Sequence, residues 1–189
     1  MNRREFFLKT WARGMRAAIA AVIGIPSIQY VLDTFRKPQR AASEHVRVKR
    51  LQDLPPNKPT LVPIMGRKLD AWTQYEETII GRVWLVRQDD GEPTKTSKVL
   101  ALSSICPHTG CQVRAISEST GFFCPCHQAK FKEDGNMDGS MESGASSPAP
   151  RGMDSLECNV VEHETTGDLW VEVKYERFQQ GIEKKVSLG

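Results

Sequence analysis

Hydrophobic and polar positions divide the chain into an apolar N-terminal stretch and a longer body of alternating character. Residues 17–32 are apolar except at four positions, Gly24, Pro26, Ser27 and Gln29. A helix of this length covers about 24 Å, whereas the hydrocarbon core of a bilayer is roughly 30 Å thick. Met15 and the aliphatic stem of Arg16 extend the apolar length. The pattern therefore predicts one N-terminal transmembrane helix within residues 1–32, with Pro26 as a kink.

From His45 onward the pattern is typical of β-strands. Val46 and Val48 alternate with charged neighbours, and residues 78–87 and 98–103 are rich in β-branched side chains. In residues 168–175, one face carries four apolar side chains, Leu169, Val171, Val173 and Tyr175. Turns are indicated at three dipeptides, Asp90-Gly91, Asp134-Gly135 and Thr166-Gly167. Because no helical period follows residue 45, we predict an all-β body at 45–175, a small antiparallel sandwich, with a C-terminal tail at 176–189.

The residues around the apolar stretch indicate export and attachment. The N-terminus reads M-N-R-R-E-F-F-L-K and resembles a twin-arginine export signal, although a helical basic cap has the same composition. A signal-peptide cleavage site requires small residues spaced as in A-x-A soon after the apolar stretch, and residues 33–40 contain no such pattern. We therefore favour a retained anchor over a cleaved signal peptide. Residues 33–44 are polar and predict a flexible hinge between the anchor and the body.

Charge is distributed unevenly along the chain. Residues 1–16 hold five basic side chains and one acid, which gives +4, and since the whole chain carries +3 the remainder sums to −1. A near-neutral body lacks the cationic face that nucleic acids require. The basic end lies before the apolar stretch, which predicts a cytoplasmic N-terminus and a body on the outer side of the membrane.

Two short segments carry the candidate chemistry. Four of the five cysteines lie between positions 106 and 126. The first segment reads I-C-P-H-T-G-C from Ile105, and the second reads C-P-C-H-Q-A-K-F from Cys124. Each supplies a cysteine and a histidine, in the order C-x-H, fifteen residues, then C-x-x-H. Two thiolates and two imidazoles can bind either iron or zinc, so the ligand types alone leave both metals open.

The paired segments closely resemble the two cluster-binding boxes of the Rieske iron-sulfur family, over about residues 78–175. The resemblance implies a Rieske-type sandwich with a cluster-binding subdomain and one 2Fe-2S cluster. It implies that Cys106 and Cys124 bind the inner iron, and that His108 and His127 bind the outer, solvent-facing iron. A structural zinc site is the alternative for these four ligands.

Further features of the resemblance place the chain among the respiratory members of the family. Cys111 and Cys126 occupy the positions of a disulfide that joins the two boxes, which agrees with an oxidising compartment. Residues 147–151, S-P-A-P-R, resemble the Pro-rich loop that covers the cluster, and the alternative is an ordinary surface loop.

These features together resemble the iron-sulfur subunit of a cytochrome bc-type complex in a bacterial inner membrane, with the Rieske domain on the periplasmic or outer side. The resemblance implies a cytochrome b partner, a quinol at its site and a c-type cytochrome as electron acceptor. His127 would face the quinol and be the catalytic residue. The alternative is the small Rieske subunit of an exported molybdenum oxidoreductase, such as an arsenite oxidase.

The residues that follow the second histidine predict the reduction potential. High-potential members of the family carry Gly, Ser, any residue and Tyr there, and the Ser and Tyr hydroxyls donate hydrogen bonds to cluster sulfurs. This chain has Gln128, Ala129, Lys130 and Phe131, and neither Ala129 nor Phe131 carries a hydroxyl. The sequence therefore predicts a low-potential centre suited to menaquinol.

Overall fold

The computed structural model describes residues 2–35, 45–70, 73–116, 121–139 and 147–188. The chain separates into two units, Met1–Arg40 and Ala41–Gly189. The first contains a helix, and the second contains nine strands and a single 3-10 turn within its described part. The hinge that the sequence predicts at 33–44 falls mostly on residues outside those described.

Helix α1 runs from Arg3 to Phe35 and is 33 residues long, so it measures about 50 Å. Its stretch from Arg3 to Leu32 is long and apolar enough to cross a membrane, and none of its most apolar window is buried within the protein. Pro26 lies inside the helix, and the Ser27 hydroxyl next to it donates to the Ile23 carbonyl at 2.7 Å. The predicted apolar helix is confirmed, and it begins well before the apolar stretch.

The second unit is built from antiparallel strands. In chain order they are β1 (His45–Arg50), β2 (Thr60–Asp70), β3 (Thr73–Arg87), β4 (Val99–Ser103), β5 (Arg114–Ala115), β6 (Phe122–Phe123), β7 (Lys130–Phe131), β8 (Ser155–Glu162) and β9 (Leu169–Lys174), with a 3-10 turn at Leu51–Asp53 after β1. Six strands form one sheet in the order β1-β9-β8-β4-β3-β2, and β5, β6 and β7 form a small second sheet. The small sheet is inserted between β4 and β8. The predicted all-β body is confirmed.

The large sheet curls around its own core, since its edge strands β1 and β2 contact each other. Every one of its six strands supplies a side chain to a single apolar cluster. On β9, Val171 and Val173 are fully buried in this cluster, as the alternation of that segment predicts. Leu51, in the 3-10 turn, and Leu54, directly after it, close the cluster.

Strand β3 lies between two cores, and this arrangement positions the site. Val83 and Leu85 point into the first core, whereas Trp84 and Val86 belong to a second cluster on the opposite face. The second cluster is completed by residues of the small sheet and its loops, among them Phe122 and the two cysteines of the predicted ligand set. Burial on both faces explains why the end of this strand, residues 83–86, is continuously apolar instead of alternating. The inserted subdomain is therefore seated on the outer face of the large sheet.

Candidate metal centre

The two cluster boxes fold into loops of the same construction. The N–H of Cys106 donates to the Cys111 carbonyl at 2.8 Å, and the N–H of Cys124 donates to the Ala129 carbonyl at 2.8 Å. Each bond closes a loop over the five residues that follow the cysteine. In both loops the first of these five residues is a proline. The fourth residue after each cysteine is left-handed, with φ +85° at Gly110 and +62° at Gln128. Two matched loops thus bring their side chains to one end of the small sheet.

The four predicted ligands lie at this end in two layers. Cys106 and Cys124 are buried, with 0% and 2% of their surface exposed. His108 is half-buried and His127 is exposed. The two imidazole rings stand edge to face, with their centroids 4.6 Å apart. The structure pairs the two cysteines in the interior and the two imidazoles nearer the surface.

The chemistry of the buried thiols fits a cationic metal group. Burial raises the pKa of Cys106 to about 11, and the adjacent Cys124 thiol contributes to the rise. The backbone N–H groups of His108 and Thr109 donate to the Cys106 sulfur, and these hydrogen bonds oppose the rise in its pKa. Two buried neighbouring thiols become thiolates only where nearby positive charge compensates them. Two iron ions with thiolates on one side and imidazoles on the other would supply that charge.

The structure joins Cys111 and Cys126 through a disulfide, which confirms the predicted pairing. Their Cα atoms are 6.5 Å apart, and they lie 15 positions apart in sequence. Cys111 belongs to the first loop and Cys126 to the second, so the bond links the two loops directly. A link of this span removes roughly 3 kcal/mol of loop-closure entropy from the unfolded chain in the chain-entropy model.

An apolar layer supports the second loop. Ala129 and Phe131 are each only 1% exposed, and Phe131 pairs across the strands with Phe122. Trp84 packs against Phe122 with ring centroids 5.6 Å apart, and its indole N–H donates to the Val113 carbonyl. The side chains that follow His127 at positions 129 and 131 therefore point into the core next to the buried cysteines.

The Pro-rich segment also reaches this layer. Ala149 is buried in the same cluster as Cys106 and Cys124. Arg151, at the end of the segment, forms two hydrogen bonds to the Asp154 carboxylate at 2.8 and 2.9 Å. Both side chains are at least nine-tenths buried. The segment is thus packed against the site and fixed at one end.

Sequence reasoning missed the part played by the residues after β9. The N–H of Gly181 donates to the Pro107 carbonyl at 2.8 Å, in the first cluster loop. Arg151 donates to the Gln179 and Ile182 carbonyls of the same C-terminal segment. Phe178 is 5% exposed and belongs to the first core. The only sequence signal was an aromatic residue and a glycine within a charged stretch, which is too common to predict a contact.

The left-handed backbone at Gln128 leads to a stability prediction. For any residue other than glycine, the left-handed conformation raises the free energy of the backbone. Glycine occupies the matching position in the first loop. We expect Gln128→Gly to stabilise the protein by about 0.5–1 kcal/mol after allowing for the greater entropy of glycine in the unfolded chain. Denaturant unfolding of the cluster-loaded protein measures the change. Gln74→Gly, at an exposed strand position without positive φ, should destabilise it, and equal effects of the two changes would contradict the argument.

Comparisons with known proteins find similar sequences and solved structures. A family model described as the Rieske [2Fe-2S] domain matches residues 44–148. The menaquinol:cytochrome c reductase iron-sulfur subunit of Bacillus subtilis (strain 168) is 29% identical over 138 residues, which cover 71% of this chain and 75% of that protein. The cytochrome b6-f complex iron-sulfur subunit of Chlorobaculum thiosulfatiphilum is 25% identical, covering 71% and 61%. The solved plasma membrane Rieske protein of Synechocystis PCC 6803 aligns over 68% of this chain and 97% of its own, with 20% identity and a TM-score of 0.39. The matched family region contains both cluster loops.

Proposed function

The chain belongs to the Rieske [2Fe-2S] family, and we propose that it is the electron-transfer subunit of a membrane menaquinol:cytochrome c oxidoreductase. One observation carries the proposal. Two buried cysteines lie beneath two imidazoles, of which one is exposed, in a chain whose N-terminal helix can span a membrane. The relatives named as menaquinol:cytochrome c reductase subunits support the choice of quinol and acceptor.

Each residue of the site has a distinct role in this proposal. Cys106 and Cys124 hold the 2Fe-2S cluster from the buried side, and His108 and His127 hold it from the exposed side. When bound, the cluster takes up and releases one electron. His127, the more exposed imidazole, accepts the hydrogen bond of the quinol hydroxyl, so the catalytic contact is made at its ring. The apolar layer that includes Ala129 and Ala149 keeps water from the buried cysteines.

Partners follow from the same proposal. The quinol is bound by a cytochrome b subunit, and a c-type cytochrome receives the electron. The segment at 33–44 is the hinge that lets the domain reach both. The subunit alone does not turn over quinol, since it supplies neither the quinol pocket nor the acceptor.

Purification of the native complex tests the function. Membranes should yield this chain together with a cytochrome b, and the complex should reduce a c-type cytochrome when given menaquinol. The reduced chain should give the EPR signal of a Rieske cluster. Recovery as a soluble protein bound to a molybdenum subunit would support the alternative assignment and contradict this one.

Localisation is proposed from the N-terminal helix. Its candidate span, Arg3–Leu32, is 30 residues or about 45 Å long, which is enough to cross the roughly 30 Å of a bilayer core. Its basic end predicts a cytoplasmic N-terminus. We expect the paired changes Arg3→Lys and Arg4→Lys to block assembly of the cluster-loaded domain on the outer face of the membrane. The paired changes Arg13→Lys and Arg16→Lys preserve charge in the same way and should leave assembly intact. Protease accessibility in spheroplasts and the EPR signal of washed membranes measure both, and normal assembly of the first variant would refute the export signal.

The preference for menaquinol is tested by the reduction potential. In the high-potential members of the family, from which the second box departs, hydroxyls at the positions of Ala129 and Phe131 donate to cluster sulfurs and favour the reduced state. Hydrogen bonds to charged groups are worth about 1.5–3 kcal/mol, and the difference between two redox states is smaller. We expect Ala129→Ser and Phe131→Tyr each to raise the midpoint potential by tens of millivolts, from a value near the lower-middle of the Rieske range of roughly −150 to +300 mV.

Phe123→Tyr provides the matched control for the second change. Phe123 pairs with Lys130, on the opposite face of β6 from Phe122 and Phe131. The same hydroxyl added there should leave the potential unchanged in a redox titration followed by EPR. A wild-type potential near the top of the range, or variants without a rise, would contradict the menaquinol proposal.

A further inference from the structure

A third sulfur lies beside the disulfide that links the cluster loops. The Sγ atoms of Cys111, Cys124 and Cys126 all lie within 4.8 Å of one another. Cys111 and Cys126 are bonded at 2.03 Å, whereas Cys124 is a free thiol with 2% of its surface exposed. Burial prevents dissolved thiols from contacting Cys124, whereas the disulfide lies close to its sulfur.

In the folded protein, the Cys124 thiol is not aligned with the S–S axis of the disulfide. A thiol that attacks a disulfide approaches along the S–S axis, so it must lie about 2 Å farther from the leaving sulfur than from the attacked one. Non-bonded heavy atoms stay roughly 3.5 Å apart or more, so an aligned Cys124 would be over 5 Å from one of the two sulfurs. Both distances are shorter than that. Exchange therefore requires the side chain of Cys124 or its loop to turn.

Under the ligand set proposed above, Cys124 is bound to iron in the loaded protein and is neither free to turn nor available as a nucleophile. We propose that in any chain without its cluster Cys124 attacks the disulfide and rearranges it. The loops then become linked through Cys111 and Cys124, and Cys126 becomes a free thiol. High effective concentration within one chain favours the reaction over exchange with dissolved thiols.

The bonds and protons of the exchange balance without any added oxidant. The Sγ of Cys124 bonds to the Sγ of Cys111, the bond between Cys111 and Cys126 breaks, and the proton from Cys124 ends on Cys126. One disulfide and one thiol are present before and after. Attack on Cys126 is disfavoured because the new bond would span only Pro125, whose ring restricts the backbone. Attack on Cys111 also expels the exposed sulfur of Cys126, which water can solvate.

The product has a consequence for assembly. Cys124 can no longer serve as a ligand once it is bonded to Cys111, so the rearranged chain cannot take up a cluster. A cluster that enters before the disulfide forms, or at the same time, avoids this block.

Two serine variants of the full-length protein in detergent separate this exchange from cluster loss itself. Cys106→Ser removes one proposed ligand and keeps the internal nucleophile. Cys124→Ser removes the other proposed ligand together with the nucleophile. Each variant is quenched in acid, alkylated, digested and mapped by mass spectrometry, and its iron content is measured beforehand. Loaded wild type and wild type stripped of iron by a chelator are mapped in the same way.

We expect most chains of Cys106→Ser and of the stripped wild type to carry the Cys111–Cys124 bond with Cys126 alkylated. Cys124→Ser and loaded wild type should keep the Cys111–Cys126 bond. An unchanged Cys111–Cys126 bond in the stripped wild type, or a bond between Cys124 and Cys126, would overturn the proposal. Retention of iron in both serine variants would instead refute the ligand set, and the stripped wild type would then still decide whether exchange occurs.

Discussion

Replacing His127 with alanine is expected to abolish binding of the 2Fe-2S cluster while leaving the two loops joined by a disulfide. His127 is exposed, so its removal opens no cavity in either core. The centroid of its imidazole ring lies 4.6 Å from that of His108. A Rieske iron that loses one of two imidazoles keeps too few ligands to remain bound. The variant should contain no iron and give no EPR signal after reduction.

His45→Ala is a suitable control because His45 is also exposed, on strand β1 of the same unit. It should retain full iron content and an unchanged signal. Disulfide mapping of the His127 variant must accompany the iron analysis, since the exchange proposed above predicts a Cys111–Cys124 bond once the cluster is gone. Full iron content with an unaltered spectrum in the His127 variant would remove His127 from the ligand set.

The fold was predictable where the hydrophobic pattern of a strand reflects burial of a single face. The alternation in β9 placed Val171 and Val173 correctly in the core, because only one face of that strand is buried. Strand β2 was not predicted, since Pro63 interrupts its pattern, and the structure tolerates this proline on an edge strand. The two-residue strands β5 to β7 were not predicted, because a strand of two residues is too short to show a period in the sequence.

Prediction of the candidate site had a different basis. Cysteine and histidine at fixed spacing indicated the ligands, because few other arrangements use those residue types together. The left-handed residue at Gln128 could not be predicted, since glutamine has no preference for that conformation and only the match with Gly110 explains it. The neighbourhood of Cys124 and the disulfide likewise depends on how two loops meet, which no local pattern encodes.

The role of the residues after Lys174 was hidden because their contacts are made by backbone groups. Carbonyls of Gln179 and Ile182 accept from Arg151, and the N–H of Gly181 donates to the first cluster loop. Any sequence supplies such groups, so a charged C-terminal stretch is indistinguishable from a tail. Arg151 thus joins the Pro-rich segment to the C-terminal segment, which in turn contacts the first loop.

Replacing Arg151 with methionine is expected to destabilise the domain by about 3 kcal/mol or more. The Asp154 carboxylate is 5% exposed and would lose both of its guanidinium hydrogen bonds, which leaves a buried charge without a partner. The two carbonyls of the C-terminal segment would lose their donor at the same time. Guanidinium unfolding of the full-length protein in detergent, followed by cluster absorbance, measures the change. Arg151→Lys should recover little, because an ammonium cannot form the paired bonds of a guanidinium.

Two comparisons separate the loss of this buried pair from a general effect of removing charge. Arg67→Met breaks an exposed contact of 3.9 Å with Glu76, whose side chain is 70% exposed, and should cost no more than about 1 kcal/mol. The double change Arg151→Met with Asp154→Leu should be more stable than Arg151→Met alone, since it removes the stranded carboxylate. If Arg151→Met and Arg67→Met have equal effects, the link between the Pro-rich segment and the C-terminal segment contributes no more to stability than a surface contact, and the first loop is held by its disulfide and its own hydrogen bonds.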